Sequence, residues 1–79
     1  MITQIQVKIL KTIKTYIEKK GYSPSLDELK KEIPLKSKED LNGHMKSLEK
    51  LGCIKKQQSL ARSIIITDQG KSLLKLLSN

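Results

Sequence analysis

Pro34 constrains this chain more than any other single residue. Its ring disfavours helical backbone in the residue before it, so a helix arriving from upstream ends at or before Ile33. A new start pattern opens at Ser37, leaving a connection of only a few residues. Upstream, Ser25 and Glu28 have the spacing of a capping box, and Leu26, Leu29 and Ile33 supply one apolar side. Downstream, Ser37 caps a second segment, with Asp40 placed to complete a shorter version of the box. At 100° per residue, Met45 and Leu48 fall within about 40° of Leu41, and Gly52 closes the segment. Two short helices joined by a tight turn, the second longer and more polar outside, make a helix-turn-helix pattern. Many helical bundles would satisfy that pattern too, so the flanking sequence has to discriminate.

A first helix is expected from Thr3 to about Lys20. Thr3 and Gln6 repeat the capping-box spacing, and Ile2 and Val7 sit at the staple positions around it. Ile5, Ile9, Leu10, Ile13 and Ile17 share one broad face, with Lys8, Lys11, Thr15 and Lys19 opposite. Gly21 ends the helix, where Lys19 and Lys20 complement its dipole. A basic amphipathic helix can also lie on a membrane; a β-branched stripe capped at both ends reads as a core face instead.

After Gly52 the pattern becomes extended. Cys53–Gln57 and Ser63–Thr67 are β-favouring, with the polar stretch Gln58-Ser59-Leu60-Ala61-Arg62 between them. Thr67 reads as the N-cap of a last helix from Asp68 to about Leu77. Its Leu73, Leu74, Leu76 and Leu77 offer more apolar surface than so short a helix needs for docking, and a homodimer contact is expected there. The fold class that follows is mainly α with a small β-hairpin: a winged helix-turn-helix of three helices, a two-stranded wing and a C-terminal helix. Its helices are expected at about 3–20, 25–32, 37–51 and 68–77, with the wing at about 53–67, in one domain covering 1–79.

At 79 residues the chain buries only about 60% of its unfolded surface, which leaves no room for a large catalytic cleft beside a core. A net charge of +8 on so small a body points to an anionic partner, with nucleic acid first, an anionic membrane or acidic protein second, and mere solubility third. The only aromatic residues are Tyr16 and Tyr22, too few to stack on unpaired bases, which ranks RNA below double-stranded DNA. Cys53 is the only cysteine and reads as a small apolar residue packed after a helix, consistent with a reducing cytoplasm. No run of about 18 apolar residues exists to span a membrane. One histidine, one cysteine and scattered serines form no nucleophile–base pair and no metal site, so neither an enzyme nor a cofactor or metal is expected.

The segment from Ser37 to Gly52 is therefore expected to lie in the DNA major groove, showing Glu39, Asn42, Gly43, Lys46 and Lys50 outward. Asn42 is the best base reader, because an amide pairs with adenine N6 and N7, and Lys46 can reach guanine or a phosphate. Gly43 sits mid-helix, where it costs about 1 kcal/mol relative to alanine. Either another backbone must come close to it or it is a neutral surface glycine. Lys36, Lys38, Lys50, Lys55 and Lys56 are expected on the DNA backbone, while Lys8, Lys11 and Lys19 read as a solvated face.

With these residues in order, the chain resembles the N-terminal DNA-binding domain of the LexA repressor family over about Ile2 to Ile66. Its most specific parts are Ile9-Leu10 with Ile13, Gly21-Tyr22-Ser23-Pro24-Ser25 with Glu28, Leu35-Lys36-Ser37, Gly43-His44-Met45 with Leu48-Glu49, and Gly52-Cys53-Ile54. Arg62 before alternating isoleucines completes the set. The resemblance implies a repressor domain whose third helix enters the major groove while the wing tip follows the backbone. By position it places base reading on Ser37, Glu39, Asp40, Asn42 and Gly43, and makes Arg62 the family's wing-base arginine, expected on the DNA backbone. His44 matches a position usually occupied by histidine and is assigned a structural role.

The chain departs from the family at three points. Pro34 stands where the family usually has glycine, so the turn must differ, because proline cannot adopt φ > 0. Glu39 and Asp40 replace small or amide residues: carboxylates accept from cytosine N4, and in a first helical turn they also complement the dipole. Asp40 is assigned the dipole role; Glu39 stays open between the two. Finally, the family's self-cleaving domain with its Ser-Lys dyad has no counterpart in these residues, so neither self-cleavage nor dimerisation through that domain is expected. The alternative function is a protein-interaction module modulating a larger repressor or replication protein. Its sequence marks are the Leu73–Leu77 patch and Ile65, which stands where the family has a polar outward residue.

Overall fold

The computed structural model describes residues 2–57 and 60–77. The order of elements is α1 (Gln4–Lys20), α2 (Leu26–Glu32), α3 (Lys38–Lys50), β1 (Ile54–Lys55), β2 (Ile65–Ile66) and α4 (Asp68–Leu77). The expected winged helix-turn-helix is thus present, and its helix starts come from the local signals. Both capping boxes close: Thr3 with Gln6 on α1, and Ser25 with Glu28 on α2. Ser37 Oγ accepts from Asp40 N–H at 3.2 Å, and only this half of the third cap forms among the described residues.

The turn between α2 and α3 is set by Pro34. Ile33 leaves helical backbone at φ −119° and ψ 129°, as a residue before proline should. Leu35 N–H then donates to Ile33 C=O at 2.8 Å, closing a three-residue turn centred on the proline. At the far end of α3, Gly52 adopts φ 77°. Gly52 N–H donates to Glu49 C=O and Cys53 N–H to Leu48 C=O, each at 3.0 Å, which is the paired pattern of a Schellman stop. Cys53 packs beneath this turn at 2% exposure, and burial pushes its thiol pKa up, so it behaves as an inert apolar residue.

The core joins all the helices. Ile9, Leu10 and Ile13 of α1 meet Leu29 and Ile33 from the α2 side and Leu41, Met45 and Leu48 of α3, with Cys53, Ile54, Ile64 and Leu74 closing the rest. Leu74 corrects an expectation. It is only 3% exposed and packs into this core, so it is not a dimer contact, and Leu73 is half-buried against the same cluster. Docking α4 therefore uses two of the four leucines; Leu76 and Leu77 remain outward at 74% and 45% exposure.

The wing is shorter than expected. Instead of five-residue strands, only Ile54↔Ile66 and Lys55↔Ile65 pair, antiparallel. Beyond them the Ser63 side chain replaces the ladder: its Oγ accepts from Gln57 N–H at 3.1 Å and lies 3.0 Å from Gln57 C=O. Gln58 and Ser59, expected at the wing tip, lie outside the described residues.

The start of α4 is stitched to the turn after α3. Thr67 N–H donates to Cys53 C=O at 3.0 Å, the Thr67 hydroxyl donates to Gly52 C=O, and Gln69 Nε2 donates to Leu51 C=O at 2.7 Å. Thr67 Oγ1 also accepts from Gly70 N–H at 3.1 Å, the N-cap bond expected of it. No described helix is long and apolar enough to cross a membrane.

Candidate nucleic-acid interface

Because Leu41, Met45 and Leu48 are buried to about 1% or less, the opposite face of α3 is set toward solvent. Lys38, Glu39, Asp40, Gly43, Lys46 and Lys50 are exposed and Asn42 is half-buried beside them. Ser37 is half-buried at the helix start, where its oxygen accepts from the Asp40 amide and its hydroxyl hydrogen stays free to donate outward. Beyond its own helical turn and chain neighbours, a Cβ built on Gly43 would meet nothing within 4 Å, so no packing within the chain requires a glycine there. Glu39 and Asp40 both lie in the first turn, where carboxylates complement the helix dipole.

Behind this face, α3 is tied to α1 by two groups. Gln6 is 5% exposed; its Oε1 accepts from Thr3 N–H and its Nε2 lies 3.2 Å from His44 Nδ1. His44 thus has the structural role expected of it, and one glutamine serves both the α1 cap and the seating of α3. Sequence spacing shows only the first of these, since the second spans 38 positions.

Lys36 in the turn and Lys55 on β1 are exposed, and Lys56 is half-buried. A groove of about 280 Å³ runs between the starts of α2 and α3 and the wing, with Lys38, Lys56, Gln57 and Leu60 among its lining residues. Lys38 is only loosely engaged: its Nζ lies 3.1 Å from Asp27 Oδ1, with both side chains more than half exposed. Such a pair is worth little in water and yields readily to a stronger anion.

Arg62, expected on the DNA backbone, is engaged by partners within the chain. Its Nη1 donates to Glu28 Oε1 at 2.8 Å, Tyr16 OH at 3.1 Å and Ser23 C=O at 3.2 Å, and its Nη2 to Glu28 Oε2 at 2.9 Å. The guanidinium lies 4.9 Å from the centroid of the Tyr22 ring, which meets Tyr16 edge-on at 6.0 Å. The reason is geometric complementarity: a planar fork meets a carboxylate in a bidentate pair, the strongest form of such a contact. Hydrogen bonds from Arg62 and from the Ser25 amide hold the Glu28 carboxyl down at about 2, so the pair stays charged to strongly acidic pH. Glu28, Tyr16, Tyr22 and Ser23 were invisible as a cluster in the sequence. The one signal is Glu28 itself, whose capping bond uses Oε1 and leaves Oε2 open to a partner 34 residues away.

Arg62 also adopts φ 56°, the only non-glycine residue among those described with left-handed backbone. For a residue with a Cβ this costs about 1–2 kcal/mol.

Comparison with known proteins places the chain among similar sequences. The family described as LexA DNA binding domain matches residues 1–63. The chain is 37% identical over 70 residues to the LexA repressor of Clostridioides difficile, covering 89% of this chain and 33% of that protein. It is 40% identical over 67 residues to the LexA repressor of Caldicellulosiruptor saccharolyticus, covering 85% and 33%. With the LexA repressor of Clostridium botulinum it shares 41% over 63 residues, covering 80% and 31%. The chain therefore spans about a third of the length of the relatives it matches.

Proposed function

The chain belongs to the LexA DNA binding domain family, and from that premise we propose that it is a sequence-specific double-stranded DNA-binding repressor. Residues on the outer face of α3 read the major groove, with Asn42 as the principal reader and Lys46 beside it. Ser37, Glu39, Asp40 and Gly43 line the same approach, and Lys36, Lys38, Lys50, Lys55 and Lys56 neutralise phosphates. The single observation that carries this reading is the exposed α3 stripe, polar and glycine-bearing, held outward by a face buried in the core. Phosphate neutralisation makes affinity fall steeply with salt, and each good bidentate base contact adds about 1–3 kcal/mol of discrimination.

Selection of bound sequences from random duplexes, repeated with variants, tests this. Asn42→Ala should change the selected sequence, whereas Lys55→Ala should weaken binding to all sequences alike. If neither variant alters specific or general affinity, the reading is wrong.

The protein-interaction alternative keeps one specific observation in its favour. Ile65 is 55% exposed on the wing and Leu76 is 74% exposed on α4. In that alternative the partner is a larger repressor or replication protein; separately, a homodimer contact is proposed through Leu76 and Leu77, with Leu73 at the margin. Removing α4 would also strip Leu74 from the core, so a point change is the better probe. Leu76→Glu should lower the sedimentation-derived mass at high concentration without shifting the melting temperature. A parent chain that is already monomeric under those conditions discards the contact.

A further inference from the structure

We propose that Arg62 is a positioning residue: anchored by Glu28, it locks the wing against the corner between α1 and α2, so that Lys55 and Lys56 meet phosphates from a fixed place, without itself touching DNA. The part concerning DNA rests on the proposed function; the lock does not.

Both terminal nitrogens of Arg62 already face protein acceptors, and Glu28 meets them fork to fork at 2.8 and 2.9 Å. A phosphate would have to displace a carboxylate of matching geometry, along with the Tyr16 hydroxyl and the Ser23 carbonyl. The backbone gives a second indication. Glycine or asparagine fits a left-handed turn better than arginine, so the residue is held there for its side chain. Third, the wing is clasped at Ser23 from two directions: Arg62 donates to its carbonyl at 3.2 Å, and Ile64 N–H donates to its Oγ at 3.1 Å. Finally, Glu28 Oε1 also accepts from Ser25 N–H at 2.9 Å. One carboxylate thus serves the α2 cap and the wing together, registering the wing to the helix-turn-helix.

Two charge arguments with opposite signs make this testable. Glu28→Gln removes a negative charge near the interface, which by electrostatics alone strengthens DNA binding. If Arg62 were a phosphate contact, freeing it from Glu28 would strengthen binding further. A lock predicts the reverse. Glutamine keeps an acceptor for the Ser25 amide, so the cap survives, but the ionic fork is lost. Arg62→Lys provides a second variant that keeps the charge and loses the fork.

The experiment measures binding of the full chain to a short random-sequence duplex, together with hydrogen exchange of the Ile64 amide in the free protein. Both variants should bind several-fold more weakly than the parent, and their Ile64 amides should exchange several-fold faster while far-UV circular dichroism stays unchanged. Tighter or equal binding by Glu28→Gln overturns the positioning role. Unchanged Ile64 exchange in both variants overturns the lock. A parent chain that binds no duplex overturns the DNA half with the proposed function, while faster Ile64 exchange still upholds the lock.

Discussion

Gly70→Ala is expected to lower the melting temperature by about 5–15 °C, although alanine is the better helix former. A Cβ at this position would stand 2.2 Å from Cys53 C=O and 2.9 Å from Ile66 Cγ2. The first neighbour is backbone, held in place by the Thr67 amide and by the Schellman stop after α3, so it cannot swing aside. Nor can α4 retreat cheaply, since Gln69 bonds to Leu51 C=O and Leu74 is buried. Overpacking of this kind costs about 1–3 kcal/mol, against a gain of about 0.5–1 kcal/mol in helix propensity. The steric effect therefore wins, and thermal denaturation followed by circular dichroism reads the sign. A melting temperature equal to or above that of the parent would show that α4 docks more loosely than its hydrogen bonds indicate.

The same substitution at Gly43 should act in the opposite direction on stability. Beyond its own helical turn and chain neighbours, nothing lies within 4 Å of a Cβ built there, so Gly43→Ala leaves only the propensity gain, about 0.5–1 kcal/mol and a few degrees in melting temperature. Its effect on DNA should be large and unfavourable. If a phosphate or base edge approaches α3 at its exposed centre, a methyl group in the contact weakens binding about tenfold, or about 1.4 kcal/mol. A variant that melts higher and binds worse separates a fold requirement from a ligand requirement in one residue. Undiminished affinity would mean that Gly43 is a neutral surface glycine and that the close approach lies elsewhere on the helix.

These two glycines mark how far the sequence was legible. Both lie inside helices, and periodicity shows Gly43 facing outward, but no spacing shows that Gly70 meets the Cys53 carbonyl. Features decided within a few residues were readable: the Thr3–Gln6 and Ser25–Glu28 boxes, the Ser37 cap, the stop at Gly52, and the turn imposed by Pro34. So was the α3 stripe, because burial of Leu41, Met45 and Leu48 determines what faces away from them. Features that depend on distant partners were not. Arg62 looks like any cation near a wing until Glu28 arrives from 34 positions away, and Gln6 looks like a cap residue until α3 presents His44. The strands were read too long for a similar reason: β-propensity extends to Gln57 and Ser63, but the serine hydroxyl takes over the amide a neighbouring strand would have paired. The burial of Leu74 is hidden from the sequence because an amphipathic terminal helix looks alike whether its stripe is used within the chain or between chains.

The brevity of that ladder bears on how the chain behaves in crowded solution. Exposed Ile65 sits on a strand of only two residues, opposite a lysine. An unpaired strand edge recruits other chains when it is long, flat and apolar. Here a visiting strand would find at most a couple of amides before the Ser63 side chain and the left-handed Arg62 bend the backbone away. Among the described residues, the wing thus carries an apolar residue in the open beside a strand edge of only two residues.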